Sequence, residues 1–247
     1  MKLEFDTDAG SGSRARMGVI VLETDETLEP EFARMMALDG IALYHSRIPM
    51  VPEVSSDTLA RMEQDLPAAA RLFTSSLDFD VIGYGCTSAS TVIGSENVAR
   101  AINTVFPDAK VTDPLSAIIA AGRCLKATRL GFLTPYVPEV SMRMQQRLID
   151  AGFDIAGFGS FEQGNDRIVS RISERAIAAA AQRVAAAAPC DAIVISCTSL
   201  RTASILETIE RTAGVPVISS NQALAWHMLH LAGVDDPQPG LGALFRA

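Results

Sequence analysis

The chain has 247 residues, 48% hydrophobic and 20% charged, with a formal net charge of −8. That length holds one large domain or two of roughly 120 residues each. No Lys/Arg cluster of the kind a nucleic-acid surface needs is present, and no apolar run approaches the roughly 20 residues that span a bilayer, so neither nucleic acid nor membrane is an expected partner.

The opening M-K-L-E-F-D-T-D-A-G-S-G-S carries acids where a signal peptide has its apolar core. Residues 1–16 read as a flexible lead-in, and a cytoplasmic location is expected. Apolar runs of strand length then alternate with helical patterns. Met17–Leu22 is a predicted strand, followed by the acidic loop E-T-D-E-T and a helix starting near Glu29 with Pro30 in its first turn. Gly40–Tyr44 is a short strand. Asp57–Ser75 is a helix with Asp57 as N-cap and Leu59, Met62, Leu66, Ala69 and Phe73 on one face. Val81–Gly85 is a buried strand running into Cys86-Thr87-Ser88. A helix over Ser95–Val105, a strand at Lys110–Thr112 and a helix over Pro114–Leu125 complete a first half, 17–122.

The pattern restarts in a second half, 123–233. Leu130–Leu133 is a strand, followed by T-P-Y-V-P-E and a helix to about Ala151. Phe153–Gly157 is a strand, S-F-E-Q-G-N-D a loop and Ser173–Ala188 an Ala-rich helix. Asp191–Ile195 is a strand running into Cys197-Thr198-Ser199, with a helix then expected to about Thr212. A strand at Val215–Ile218, a helix over Gln222–Leu231 and a tail, 234–247, end the chain. The segments F-D-V-I-G-Y-G-C-T-S and C-D-A-I-V-I-S-C-T-S match as Asp, strand, Cys-Thr-Ser, a sign of duplication. The fold class is therefore α/β, with two pseudo-symmetric, doubly wound parallel-sheet domains. Ligands in such sheets bind beyond the carboxyl ends of strands, where both Cys-Thr-Ser motifs fall.

A cysteine at the start of a helix gains from its free N–H groups and dipole, which favour the thiolate. The same N–H groups, with the hydroxyls of Thr87, Ser88, Thr198 and Ser199, suit a substrate carboxylate. Two such motifs facing each other fit inversion or isomerisation beside a carboxylate, one sulfur taking a proton or adding to carbon and the other donating a proton. That chemistry needs no cofactor. The four cysteines include no C-x-x-C pair, and His45, His227 and His230 lie at no familiar zinc spacing, so no metal is expected. Cys124 and Cys190 read as inert small hydrophobes.

Four segments carry a resemblance: G-V-I-V-L-E-T-D-E-T-L-E-P-E-F, G-Y-G-C-T-S-A-S, F-L-T-P-Y-V-P-E-V and I-S-C-T-S-L-R-T. From Met17 to Leu231 the chain resembles the aspartate/glutamate racemase superfamily, and within it the maleate isomerase and arylmalonate decarboxylase branch. The resemblance implies an active site in the cleft between the two domains, and a homodimer or homotetramer. It implies Cys86 as nucleophile, Cys197 as its partner, and substrate contacts at Tyr136 and Asn165. Decarboxylases of the branch lack the first cysteine, which is present here. Racemases of the superfamily carry Cys-Asn-Thr and Cys-Thr-His where this chain has Cys-Thr-Ser twice. Maleate isomerases have an asparagine in the first loop, where this chain has Asp25. A carboxylate there repels a dicarboxylate, which points to a substrate with a positive or donor group, such as an amino or acylamino acid. A similar branch in ectoine breakdown fits that chemistry.

The supporting residues have ordinary roles open to them too. Asp25 suits a helix cap, Tyr136 packing and Asn165 a turn, while Arg201 suits an exposed helix position and His227 and His230 a structural helix. The expected function is a cofactor-independent isomerase or racemase acting on a small carboxylate. The alternatives are a lyase depending on Cys197 alone and a non-catalytic small-molecule binding module.

Overall fold

The computed structural model describes residues 1–50 and 56–247, and the cap expected at Asp57 lies outside the side chains described. In chain order the first half contains β1 (Ala15–Leu22), α1 (Leu28–Met35), β2 (Ile41–Ile48), α2 (Ser56–Ala70), β3 (Val81–Gly85), α3 (Thr87–Ile93), α4 (Ser95–Asn103), β4 (Lys110–Thr112) and α5 (Pro114–Cys124). The second contains β5 (Arg129–Tyr136), α6 (Pro138–Asp150), β6 (Asp154–Gln163), α7 (Asp166–Val169), α8 (Glu174–Ala187), β7 (Ala192–Ile195), α9 (Leu206–Ala213), β8 (Val217–Ser219) and α10 (Ser220–Leu231).

Each half forms a four-stranded parallel sheet, with orders β2-β1-β3-β4 and β6-β5-β7-β8. The topologies are the same, as the repeated sequence pattern requires. In each sheet the chain builds outward on one side, then crosses to the other, so the switch point lies between β1 and β3 and between β5 and β7. In sheets of this kind the loops leaving the two strands at the switch point are where ligands bind. The β1 and β3 loops carry Asp25 and Cys86; the end of β5 and the β7 loop carry Tyr136 and Cys197.

The helices after the last strand of each half bring the sheets together. Asp113 starts α5 by accepting from Leu115 N and Ser116 N, with Pro114 in the first turn where no donor is lost. Ser219 and Gln222 form a capping box that starts α10. These two helices pack on each other; α10 also packs on β3 and β4 of the first sheet, and α5 on β8 of the second. One buried cluster consequently runs through both halves, joining Val19, Leu28, Phe32 and Val81 to Phe132, Ile193, Leu224 and Met228. A second cluster, including Ile20, Leu59, Leu66 and Ile82, fills the outer side of the first sheet.

Several elements differ from the sequence expectation. β1 starts at Ala15, inside the expected lead-in, because β2 pairs with it along all eight residues from Ala15↔Ile41 to Leu22↔Ile48. The expected loop S-F-E-Q is strand: β6 pairs with β5 through two irregularities as far as Tyr136↔Gln163. A short helix, α3, follows Cys86 directly and ends at Gly94, whose φ of 87° suits glycine. The expected tail turns back onto the second half, ending in a 3₁₀ turn (Ala243–Arg246) that buries Leu244 and Phe245.

Gly157 in β6 lets α8 approach closely. A Cβ there would stand 2.7 Å from the Val184 carbonyl oxygen, a backbone atom that cannot rotate away. Gly157→Ala is expected to destabilise the fold by about 1–3 kcal/mol, the usual cost of overpacking, seen as a lower denaturant midpoint. An unchanged midpoint would mean α8 shifts freely on the sheet.

Candidate active site

Cys86 ends β3 as the N-cap of α3. Its Sγ accepts from Ala89 N at 3.4 Å and lies 3.5 Å from Ser88 Oγ. Cys197 follows β7; its Sγ accepts from Ser199 N at 3.3 Å and hydrogen-bonds the Tyr136 hydroxyl. Both cysteines are buried. Each threonine of the paired motifs crosses to the other half. Thr87 Oγ1 is 2.9 Å from Ser220 Oγ, and Thr198 Oγ1 is 3.5 Å from Gly85 O, the residue before Cys86. The two turns are thus tied across the interface, and both thiols bear electrostatically on Tyr136.

The two turns are not built alike. No helix follows Cys197 until Leu206, against the sequence expectation. The reason is visible bond by bond. A helix here would pair Thr202 N with Thr198 O and Ala203 N with Ser199 O. Instead Thr202 N and Ala203 N donate to Glu31 Oε1 at 2.6 and 2.8 Å. Thr198 O accepts from Asn221 Nδ2 at 2.8 Å, and Ser199 O from Thr27 Oγ1 at 3.0 Å. Asn221 Nδ2 also donates to Glu31 Oε2 at 2.8 Å. Both ends of both helical bonds are occupied by side chains from α1, its N-cap and α10.

Carboxyl groups dominate the polar lining. Asp166 accepts from Ser199 Oγ at 2.9 Å and from Thr24 Oγ1 at 2.6 Å, one hydroxyl from each half. Asp25 Oδ1 accepts from Thr27 N and Leu28 N at 2.7 and 2.8 Å, closing a turn just ahead of α1, whose N-cap is Thr27 and not Asp25. Its Oδ2 is buried without a hydrogen-bond partner. Burial pushes the Asp25 carboxyl above the usual range, against the pull of those N–H groups and of the nearby Thr198 hydroxyl. Burial likewise raises Glu31. Arg47 turns its Nη1 to the carbonyls of Leu22, Glu23 and Asp25, fixing the β1–α1 loop.

The thiols respond to this lining. Burial pushes Cys86 up to about 11; Ser88 and Ala89 N–H pull it back, while Asp166 and Asp25 add to the rise. Cys197 is raised further, by burial and then by Asp166, against the Tyr136 hydroxyl and Ser199 N–H. The N–H groups do favour each thiolate, as expected, but burial and the nearby carboxylates outweigh them. One weak N–H···S bond per thiol does not offset desolvation beside two carboxylates. Tyr136 is also raised well above its usual value, by burial and by both sulfurs.

Among the remaining expected site residues, Ser88 stays beside Cys86 and Ser199 is drawn to Asp166. Asn165 is half-buried and its Oδ1 accepts from Arg167 N at 3.0 Å, capping α7. Glu31, Asp166, Asn221 and Thr24 were not singled out from the sequence as site residues. Of these only Asp166 carried a signal, as the neighbour of Asn165 in G-N-D. Among the described residues no group of three or more His, Cys, Asp or Glu is arranged to hold a metal ion, and no helix is long and apolar enough to cross a membrane.

Exposure of Cys124 and the unequal rise of the two buried thiols give an order of reactivity. Iodoacetamide at about pH 8 is expected to label exposed Cys124 before Cys86, and Cys197 last. Cys86 labelling should still be climbing at the highest pH that the fold tolerates. Asp166→Asn removes a charge that raises both thiols and should accelerate Cys197 more than Cys86. Peptide mass spectrometry showing a Cys86 plateau below neutral pH would contradict this electrostatic picture.

Comparison with known proteins gives a consistent result. A family model described as arylmalonate decarboxylase matches residues 103–245. A maleate isomerase of Nocardia farcinica is 28% identical over 94% of this chain and 95% of its own length. An arylmalonate decarboxylase of Bordetella bronchiseptica is also 28% identical, over 76% of this chain and 75% of its own. A solved structure of Nocardia farcinica maleate cis-trans isomerase, a mutant with a covalently bound succinylcysteine intermediate, superposes with a TM-score of 0.84 at 25% identity, covering 94% of this chain and 98% of that one.

Proposed function

Since the chain belongs to the arylmalonate decarboxylase family, an enzyme family that its relatives extend to maleate isomerases, we propose that it is a two-thiol isomerase or racemase of a small carboxylate. The observation that carries this is the second thiol. Cys86 is buried at the end of β3 and shares with Cys197 the same neighbours, Tyr136, Asp25 and Asp166. A lyase that protonates one face needs only one such group; chemistry on two faces needs two.

Both thiols are held protonated, so one must pass its proton to water when substrate binds, leaving the thiolate that reacts. Cys86 is the easier to ionise, since it is raised less and keeps the Ala89 N–H and the Ser88 hydroxyl. Its sulfur then adds to an unsaturated carbon or takes the proton beside the carboxylate. Cys197, raised further, stays the proton donor from the other side. A succinylcysteine is what addition of a thiol across the double bond of maleate yields, so the intermediate held by the Nocardia relative fits the addition route. The two Cys-Thr-Ser turns hold the substrate carboxylate through N–H groups and hydroxyls, with Tyr136 and Asn165 completing the contacts. No external cofactor enters these steps.

Asp25 sets the class of substrate. Its unpartnered Oδ2 is an acceptor in a buried site, where a second carboxylate would meet it unscreened. A substrate bearing an ammonium or amide N–H would satisfy it, which favours an amino or acylamino acid over maleate.

The lyase alternative keeps one support, that the matched segment 103–245 contains Cys197 but not Cys86. Cys86→Ala separates the two. Assayed against maleate, the aspartate enantiomers, N-acetylaspartate and phenylmalonate, an isomerase loses turnover by about 10²-fold or more when a proton-transfer group is removed. Retained turnover of phenylmalonate in that variant would establish the lyase. Asp25→Asn is expected to shift preference toward maleate; an unchanged profile would remove Asp25 from specificity.

A further inference from the structure

We infer that Glu31 is a positioning residue for Cys197, holding the turn that carries this thiol out of the helix into which it would otherwise wind. Resting on the two-thiol proposal for its consequence, though not for its geometry, this assigns a function to a carboxylate 171 residues away from Thr202 in sequence.

The geometry is specific. Glu31 is buried on α1, and neither of its oxygens faces solvent freely. Oε1 takes the two N–H groups, of Thr202 and Ala203, that a continued helix would direct to the carbonyls of Thr198 and Ser199. Oε2 takes Asn221 Nδ2, which in turn occupies the Thr198 carbonyl. Thr27, one turn before Glu31, occupies the Ser199 carbonyl. The first half has no such device: Ser90 N donates to Cys86 O and α3 begins at once. The Cys-Thr-Ser triplets are identical, while the residues after them differ (A-S-T-V-I against L-R-T-A-S); the grip on Thr198, Ser199, Thr202 and Ala203 is what takes up the helical partners of the second turn.

That difference matters to the thiol. Cys86 sits in an N-cap with its sulfur on the third N–H of a helix. Cys197 has only the N–H two residues on, from Ser199, and leans on Tyr136 instead. Releasing the turn would let Thr202 N and Ala203 N pair with the Thr198 and Ser199 carbonyls and the turn wind into a helix capped by Cys197, with Leu200 N–H brought toward its sulfur as Ala89 N–H is toward Cys86, and would make the two halves more alike. A charged carboxylate is suited to the task because each N–H it accepts is a charge-assisted bond, stronger than the neutral bond it replaces.

The test reads the thiols directly and needs no turnover, so its failure is distinct from failure of the isomerase proposal. Iodoacetamide labelling of Cys86 and Cys197 is followed by peptide mass spectrometry in the full-length protein, Glu31→Ala and Glu31→Gln, with amide hydrogen exchange over 198–205. Glu31→Ala is expected to raise Cys197 labelling by about threefold or more relative to Cys86, as thiolate access improves, and to alter exchange at Thr202 and Ala203. Glu31→Gln keeps an acceptor for both N–H groups and should lie closer to the native protein. Equal acceleration of both thiols, or an unchanged ratio with unchanged exchange, would overturn the inference. If Glu31→Ala does not fold, Asn221→Ala serves, since it frees the Thr198 carbonyl, and the same selective rise at Cys197 is required of it.

Discussion

Three carboxyl groups, Asp25, Glu31 and Asp166, are buried between two halves of one chain, and the site is organised around the cost of keeping them there. A buried carboxylate is tolerated only when donors surround it. Asp25 finds its donors within its own loop, and Glu31 and Asp166 find theirs across the interface. Asp25 takes the N–H groups of Thr27 and Leu28, Glu31 takes the turn after Cys197, and Asp166 takes a hydroxyl from each half. The acids therefore act as fasteners, and the fastened pieces are the loops that carry the thiols. Burial first, and then two of the same charges, Asp166 and Asp25, raise the thiols, so the groups that fasten the loops also bear on their reactivity.

Duplication supplies the frame but not the finished site. Both sheets have the same strand order, and equivalent strand ends deliver Asp25 and Cys86 from one half, Tyr136 and Cys197 from the other. What breaks the symmetry is the side chain at each first-strand loop. Asp25 sends negative charge toward both sulfurs, whereas Tyr136 gives Cys197 a hydroxyl. Two identical Cys-Thr-Ser motifs thereby become two different acids. Reactions that move a proton from one face to the other need such an inequality at the start, because two equally ionised thiols would leave no donor.

The fold, and the placement of both cysteines after buried strands, were legible in the sequence because they rest on local patterns. Fully apolar runs such as Val81–Gly85 and Ala192–Ile195 mark strands buried on both faces, and their common Cys-Thr-Ser endings mark the carboxyl ends of those strands. What was not legible depends on partners distant in the chain. The stretch after Cys197 has a helical pattern, yet tertiary bonds from Glu31, Asn221 and Thr27 override it. S-F-E-Q reads as loop by composition, and becomes strand only because β5 continues beside it. Glu31 reads as an ordinary acid in the first turn of a helix; nothing local distinguishes it from Glu29, whose carboxylate meets Arg47 near the surface.

The raised thiols put a condition on any chemistry at this site. A thiol held near 11 is almost wholly protonated at neutral pH, so the enzyme at rest is not a nucleophile waiting for substrate. The energy for ionisation has to come from binding. A substrate with an ammonium or amide group placed against Asp25 Oδ2 would neutralise or satisfy one of the charges that raise both sulfurs, and would lower Cys86 in the act of binding. A dicarboxylate would add a charge of the same sign and raise it further. Specificity and activation would then be one event: the donor group that makes a substrate acceptable to Asp25 is also what frees the proton from Cys86. On that proposal, the unpartnered buried carboxylate oxygen of Asp25, which disfavours ionisation of both thiols, would be the point at which substrate binding and thiol activation meet.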